Sequence, residues 1–204
     1  MRSTLPQPLT FEEFIQWKPE EGQYELHNRL IIEMPQPSGQ HEEITSFLAE
    51  RLTAEYLRLN LPYRIPKTVM VKPPDKDSAY SPDVLLLNRP NLNNEPLWPS
   101  AATVTQNTSI PLIIEVVSTN WRVDDLTKVK DYEEIGIPEY WIVDYLGLGG
   151  RRFIGNPKQP TISIYELIDE EYQVRQFRGQ DPIISPTFPD LTLTVAQIFQ
   201  GTEQ

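Results

Sequence analysis

Apolar positions along this chain recur in two different periods. After Ser38, Ile44, Phe47, Leu48, Leu52 and Tyr56 fall three or four residues apart, while Glu42, Glu43, Glu50, Arg51 and Arg58 take the positions between them. That spacing predicts an amphipathic helix with Ser38 as its cap. The runs Val84-Leu85-Leu86-Leu87 and Pro111-Leu112-Ile113-Ile114 are unbroken instead, as is Tyr140-Trp141-Ile142-Val143 between Glu139 and Asp144. Such runs suit strands buried on both faces, in the middle of a sheet covered by helices.

Weaker signals fill in the rest. Thr10-Phe11-Glu12-Glu13 reads as a capping box opening a short helix through about Trp17. The stretch 24–34 predicts a hairpin turning near Asn28, and 63–72 is strand-like. Residues 88–109 are polar and rich in Asn and Pro, an excursion over the surface. A helix over 123–135 stops at Gly136 with Pro138 beyond it. Residues 147–150 form a loose loop, 161–167 and 172–177 an antiparallel hairpin, and 195–199 a terminal helix. The expected fold is a single α/β domain over 1–204 with a central mixed sheet flanked by helices, its ends at 1–8 and 200–204 flexible.

Composition narrows the function classes. The chain has 204 residues, 39% of them hydrophobic, so one real core is within reach. No run of 18 apolar residues exists and the N-terminus has no apolar signal region, which points to a cytoplasmic, membrane-free protein. There are no cysteines and only two histidines, His27 and His41, so thiolate and His-rich metal sites are excluded. Any metal must rest mainly on carboxylate oxygens, the chemistry of Mg²⁺ or Mn²⁺. The net charge of −11 argues against affinity won by phosphate neutralisation, but not against an enzyme that meets a phosphodiester through bound cations.

Glu115 is the most informative residue. It interrupts an apolar strand, where a carboxylate must be paired, protonated or metal-bound. Asp83 stands at the mouth of the other buried strand, directly after Pro82. Two such carboxylates form the minimum cage for a hard divalent cation. The bland alternatives stay open: Asp83 as a turn residue bonded to its own backbone, and Glu115 as the partner of an arginine.

Ser81-Pro82-Asp83, Ile114-Glu115-Val116-Val117-Ser118, Lys128-Val129-Lys130-Asp131-Tyr132 and Gly136-Ile137-Pro138-Glu139-Tyr140-Trp141-Ile142-Val143-Asp144 together resemble a large bacterial endonuclease family long known only as a domain of unknown function. That family belongs to the PD-(D/E)XK, restriction-endonuclease-like superfamily, and the resemblance runs from about Leu9 to Leu193. It implies a restriction-endonuclease-like core with an added N-terminal hairpin and a C-terminal antiparallel hairpin. It also implies hydrolysis of DNA phosphodiesters, with Asp83, Glu115 and the Val116 carbonyl holding Mg²⁺ or Mn²⁺.

The superfamily pattern places a lysine two residues after the second acid, where this chain has Val117. The resemblance moves that lysine to the following helix, at Lys128. Asp124 and Tyr132 share a helix face with Lys128, whereas Lys130 is turned roughly 200° away and is the weaker candidate. Glu25 matches an acidic position of the family, against a reading as a plain polar strand residue. His41 either hydrogen-bonds a helix terminus or helps position phosphate. Trp141 reads as core, Trp98 and Trp121 as loop residues, Arg151-Arg152 as too small a basic patch, and GLGG at 147–150 as no phosphate loop. A homodimer is expected, because two strands of a duplex are most simply cut by two sites. The competing readings are a nuclease-like fold acting without catalysis as a binding or assembly module, and hydrolysis of a different phosphate ester.

Overall fold

The computed structural model describes residues 8–118 and 127–200, and the backbone alone at 152 and 153. Trp121, Asp124 and the first residues of the helix expected from 123 lie outside the described residues.

Helix α1 (Phe11–Trp17) begins at the expected capping box: Thr10 accepts from the Glu13 amide, and Glu13 accepts from the Thr10 amide. Phe11 and Phe14 bury its inner face with Leu26, Met70 and Ala79 in a small satellite core. Strands β1 (Gln23–His27) and β2 (Leu30–Met34) pair as the expected hairpin, and Asn28 and Arg29 both take positive φ in the two-residue turn. Backbone bonds in both directions between Leu26 and Ala79 fasten this hairpin to the segment leading into Asp83.

Helix α2 (Gly39–Arg58) is capped by Ser38 and buries Ile44, Leu48, Leu52 and Tyr56, as the spacing predicts. The segment 63–72 differs from its expected single strand. It splits into β3 (Tyr63–Arg64), at the edge of the main sheet, and β4 (Met70–Val71), which pairs elsewhere. Pro66 lies between them, and a residue without an amide proton interrupts a ladder.

Strand β5 (Val84–Asn88) leads into the 88–109 excursion, which is more structured than expected. It carries a short helix α3 (Trp98–Ala101) and strand β6 (Thr103–Val104), which pairs in parallel with β4. Glu95, Thr103, Val104 and Ser109 are buried, because the Glu95 carboxylate folds the loop onto itself by accepting from the Thr105 and Gln106 amides.

Strand β7 (Leu112–Val116) is followed by α4 (Val129–Ile135), β8 (Glu139–Asp144), the short α5 (Arg151–Ile154), β9 (Thr161–Ile168), β10 (Glu171–Phe177) and α6 (Val195–Gln200). The six-stranded sheet runs β10-β9-β8-β7-β5-β3, with only β7 and β8 parallel. The C-terminal hairpin is therefore a continuation of the central sheet.

Alternation along the central strands divides the core. Val84, Leu86, Leu112, Ile114, Val116, Trp141 and Val143 face the layer that contains α2 and α6. Leu85, Leu87, Ile113, Val117, Tyr140 and Ile142 face the layer that contains α4. The unbroken apolar runs follow from this, since both faces of β5, β7 and β8 are covered. Trp141 is wholly buried, as expected. The 147–150 loop is less loose than expected, because the Asp144 carboxylate accepts from the Leu148 and Gly149 amides.

Candidate active site

The site lies where β5 begins and β7 ends. In the antiparallel register of these strands Val84 pairs with Ile114, Leu85 with Ile113 and Leu86 with Leu112. Continued by one step, that register sets Asp83 opposite Glu115. Asp83 itself stands one residue before β5, and Glu115 is the residue of β7 that follows the last paired position, Ile114. Asp83 is not a self-bonded turn residue: its Oδ2 accepts from the Val116 amide at 2.7 Å, a bond across to β7. Its side chain retains 25% exposure, which leaves the carboxylate open to solvent at the rim.

Glu115 is paired with a lysine, where an arginine was the sequence alternative. Lys128 stands in the helical turn that runs directly into α4, is wholly buried, and donates from Nζ to Glu115 Oε1 at 3.0 Å. The same ammonium donates to Glu25 Oε1 at 3.0 Å, and Tyr132, one turn further on, donates to Glu115 Oε1 at 3.2 Å. Lys128 and Tyr132, one turn apart, thus both reach Glu115. Lys130 points away as the helix angle requires: its side chain is 71% exposed and its ammonium lies 3.6 Å from Glu134. Val117 sits in the core beneath α4, so the position of the superfamily lysine is taken by an apolar side chain.

Glu25 is brought fully into the constellation. Besides Lys128 it receives the Ser81 amide at 2.9 Å, and its Oε2 lies 2.7 Å from His27 Nε2. Burial alone would raise its pKa, but the Lys128 charge and the His27 hydrogen bond outweigh that cost and hold it down at about 2. Glu25 therefore stays ionised and holds the Lys128 ammonium together with Glu115. His27 was missed as a site residue. Its signal was its spacing, two residues from Glu25 on one strand face. Tyr80 was missed as well; its ring faces the Lys128 ammonium at 5.6 Å and its hydroxyl donates to Asp131. From Tyr80 the rings of Tyr132, Tyr140 and Tyr165 follow in contact across the sheet, an apolar wall behind the charges.

His41 enters from the other layer. Its Nε2 lies 3.1 Å from the Val116 carbonyl oxygen and 3.4 Å from Asp83 Oδ2. Burial disfavours its charged form, yet the bond to Asp83 and that carboxylate's charge carry its pKa above the ordinary imidazole value. Its Nδ1 is buried with no hydrogen-bond partner, and Glu42 Oε1 stands 3.5 Å away.

Among the described residues no three His, Asp or Glu side chains close around a point as a metal cage. The donors at the rim, the Asp83 carboxylate and the Val116 carbonyl, are nevertheless hard oxygens converging on one place. Such a partial shell fits Mg²⁺ or Mn²⁺, which keep several coordination positions for water or substrate.

A mixed sheet that presents an acid from each of two neighbouring strands, with a lysine reaching in from the next helix, defines a restriction-endonuclease-like fold. The comparisons name the family. The chain matches the model of the Uma2 family, "Putative restriction endonuclease", over residues 11–196, and it belongs to that family. No curated protein matches it. Its fold is similar to the crystal structure of "a putative nuclease belonging to DUF820" from Anabaena variabilis ATCC 29413, with TM-score 0.73 and 18% identity over 95% of this chain and 99% of that one. Among the described residues no helix is long and apolar enough to cross a membrane.

Proposed function

We propose that this chain is a Mg²⁺- or Mn²⁺-dependent DNA endonuclease. The observation that carries the reading is the Asp83 carboxylate bonded to the Val116 amide, the residue next to Glu115, with the Lys128 ammonium 3.0 Å from Glu115. Asp83, Glu115 and the Val116 carbonyl would hold the ion. When bound, such an ion would supply a lower pKa for water and a positive charge for the phosphate oxygens. Glu25 keeps Lys128 fixed and protonated, and Lys128 orients the attacking water and offsets the negative charge that grows at the phosphate. Tyr132 fixes the Glu115 carboxylate. Val117 fills the core where another member of the superfamily would put its lysine, so Lys128 alone carries that role. A homodimer would present two such sites to the two strands of a duplex.

One observation favours a second reading, a binding or assembly module without catalysis: Lys128 is wholly buried and its ammonium is engaged by Glu25 and Glu115. Nicking of supercoiled plasmid in Mn²⁺ or Mg²⁺ separates the two. Cleavage by the wild type that Asp83→Ala lowers at least about a hundredfold supports the nuclease. Cleavage unaffected by Asp83→Ala removes the assigned site, and no cleavage of DNA or RNA by the wild type favours the module. Size-exclusion chromatography with light scattering tests the dimer.

A further inference from the structure

The histidine at the head of α2 has an arrangement that a helix cap does not explain. Capping there is done by Ser38, whose hydroxyl accepts from the His41 amide, so the His41 imidazole is left for another purpose. Its Nε2 is aimed at two oxygens at once, the Val116 carbonyl at 3.1 Å and Asp83 Oδ2 at 3.4 Å. Adjacent ligands of an octahedral ion with bonds near 2.1 Å stand about 3.0 Å apart. These separations therefore approach the edges of such a polyhedron.

The other ring nitrogen carries the second observation. With the ring proton on Nε2, shared between the two oxygens, Nδ1 is a buried lone pair with no hydrogen-bond partner, while the acceptor 3.5 Å from it, Glu42 Oε1, finds no proton there. The orphaned Nδ1 is relieved if Nε2 gives its lone pair to an ion and the proton sits on Nδ1, facing the solvated Glu42 carboxylate. A carboxylate behind a metal-bound imidazole is a common way of fixing ring and tautomer.

We infer that His41 Nε2 is a direct ligand of the divalent ion, alongside Asp83 and the Val116 carbonyl, with Glu42 as the group that orients the ring. The inference rests on the metal-dependent reading above and adds a nitrogen donor to its all-oxygen set. It has a consequence for ion choice. Imidazole suits the transition metals and adds little for Mg²⁺, so the site prefers Mn²⁺.

The test is Mn²⁺ alone, added to the full chain and followed by calorimetry and by pulsed electron paramagnetic resonance. In the wild type the bound Mn²⁺ shows the ¹⁴N modulation of a coordinated imidazole. His27→Asn retains it and His41→Gln loses it. His41→Gln weakens Mn²⁺ binding about tenfold or more and Mg²⁺ binding less than threefold. Glu42→Gln keeps the modulation and weakens Mn²⁺ about tenfold or more. Mn²⁺ bound to the wild type without ¹⁴N coupling overturns the assignment of His41 and leaves the oxygen site standing. No Mn²⁺ binding by the wild type overturns both readings. The wild-type spectrum needs no variant, so a misfolded His41→Gln would not shield the inference.

Discussion

Replacing Lys128 with methionine keeps most of the side-chain volume and removes the charge. In the structure that charge is wholly buried between Glu25, whose side chain is 1% exposed, and Glu115, at 10%. Without it two carboxylates remain in one enclosed space, and the loss of one member of a buried ion pair costs about 3–5 kcal/mol. For a chain of this size 1 kcal/mol moves the melting temperature about 2–4 °C, so Lys128→Met lowers it by about 6–20 °C. Adding Glu25→Gln removes one of the two orphaned charges, leaves His27 a hydrogen-bonding partner, and restores at least about 1 kcal/mol. The assay is thermal unfolding followed by circular dichroism at pH 7 in EDTA, for the wild type, both single variants and the double variant. A Lys128→Met protein that melts within about 2 °C of the wild type would refute the reasoning, as would a double variant whose loss is the plain sum of the single ones. Either outcome would mean that the ammonium does not hold these carboxylates in solution.

Three further outcomes follow from the geometry. Tyr132→Phe deletes the hydroxyl that donates to Glu115 and destabilises by about 1.5–3 kcal/mol in urea denaturation, as expected for a bond to a charged acceptor. Glu139 lies at the far end of β8 from the site, and burial raises its pKa in spite of bonds from Thr187, Trp141 and Ser185. An acid raised on folding stabilises most below its unfolded value of 4.5 and loses that contribution as pH climbs from there through its raised folded value. The stability advantage of the wild type over Glu139→Gln therefore shrinks between pH 4 and pH 7, and urea midpoints at both values check the sign. Thr10→Ala breaks the capping box of α1, costs about 1 kcal/mol in the same assay and leaves plasmid cleavage unchanged.

What could be read from the residues depended on how far apart the interacting partners lie. The central strands were legible because burial on both faces demands an apolar run, and Asp83 and Glu115 stood out as the charges bounding or breaking those runs. The Thr10 capping box, the Ser38 cap and the Asn28 turn were legible because their partners lie within three residues. Lys128 was reached through family resemblance, since no local pattern tells a lysine aimed into the sheet from one aimed at water. The convergence of His41 on Asp83 and Val116 was not legible. Those residues are 42 and 75 positions apart from it in the sequence. They meet only through the packing of α2 against one sheet face. The segment 63–72 was read as strand-like, but it contains Pro66 and the chain there serves two different sheets.

The N-terminal hairpin belongs to a two-stranded sheet of its own, yet it supplies the carboxylate that fixes Lys128, 103 residues further along the chain. Long loops close slowly, and a contact of that span forms only after the intervening elements have assembled. On a ribosome, Glu25 would wait for most of the protein to emerge before meeting its counter-charge. Until then a growing chain holds the acids without the lysine between them. Synthesis past Lys128 and completion of the charge arrangement are thereby tied together, so a product truncated before Lys128 would carry the acids but no finished centre.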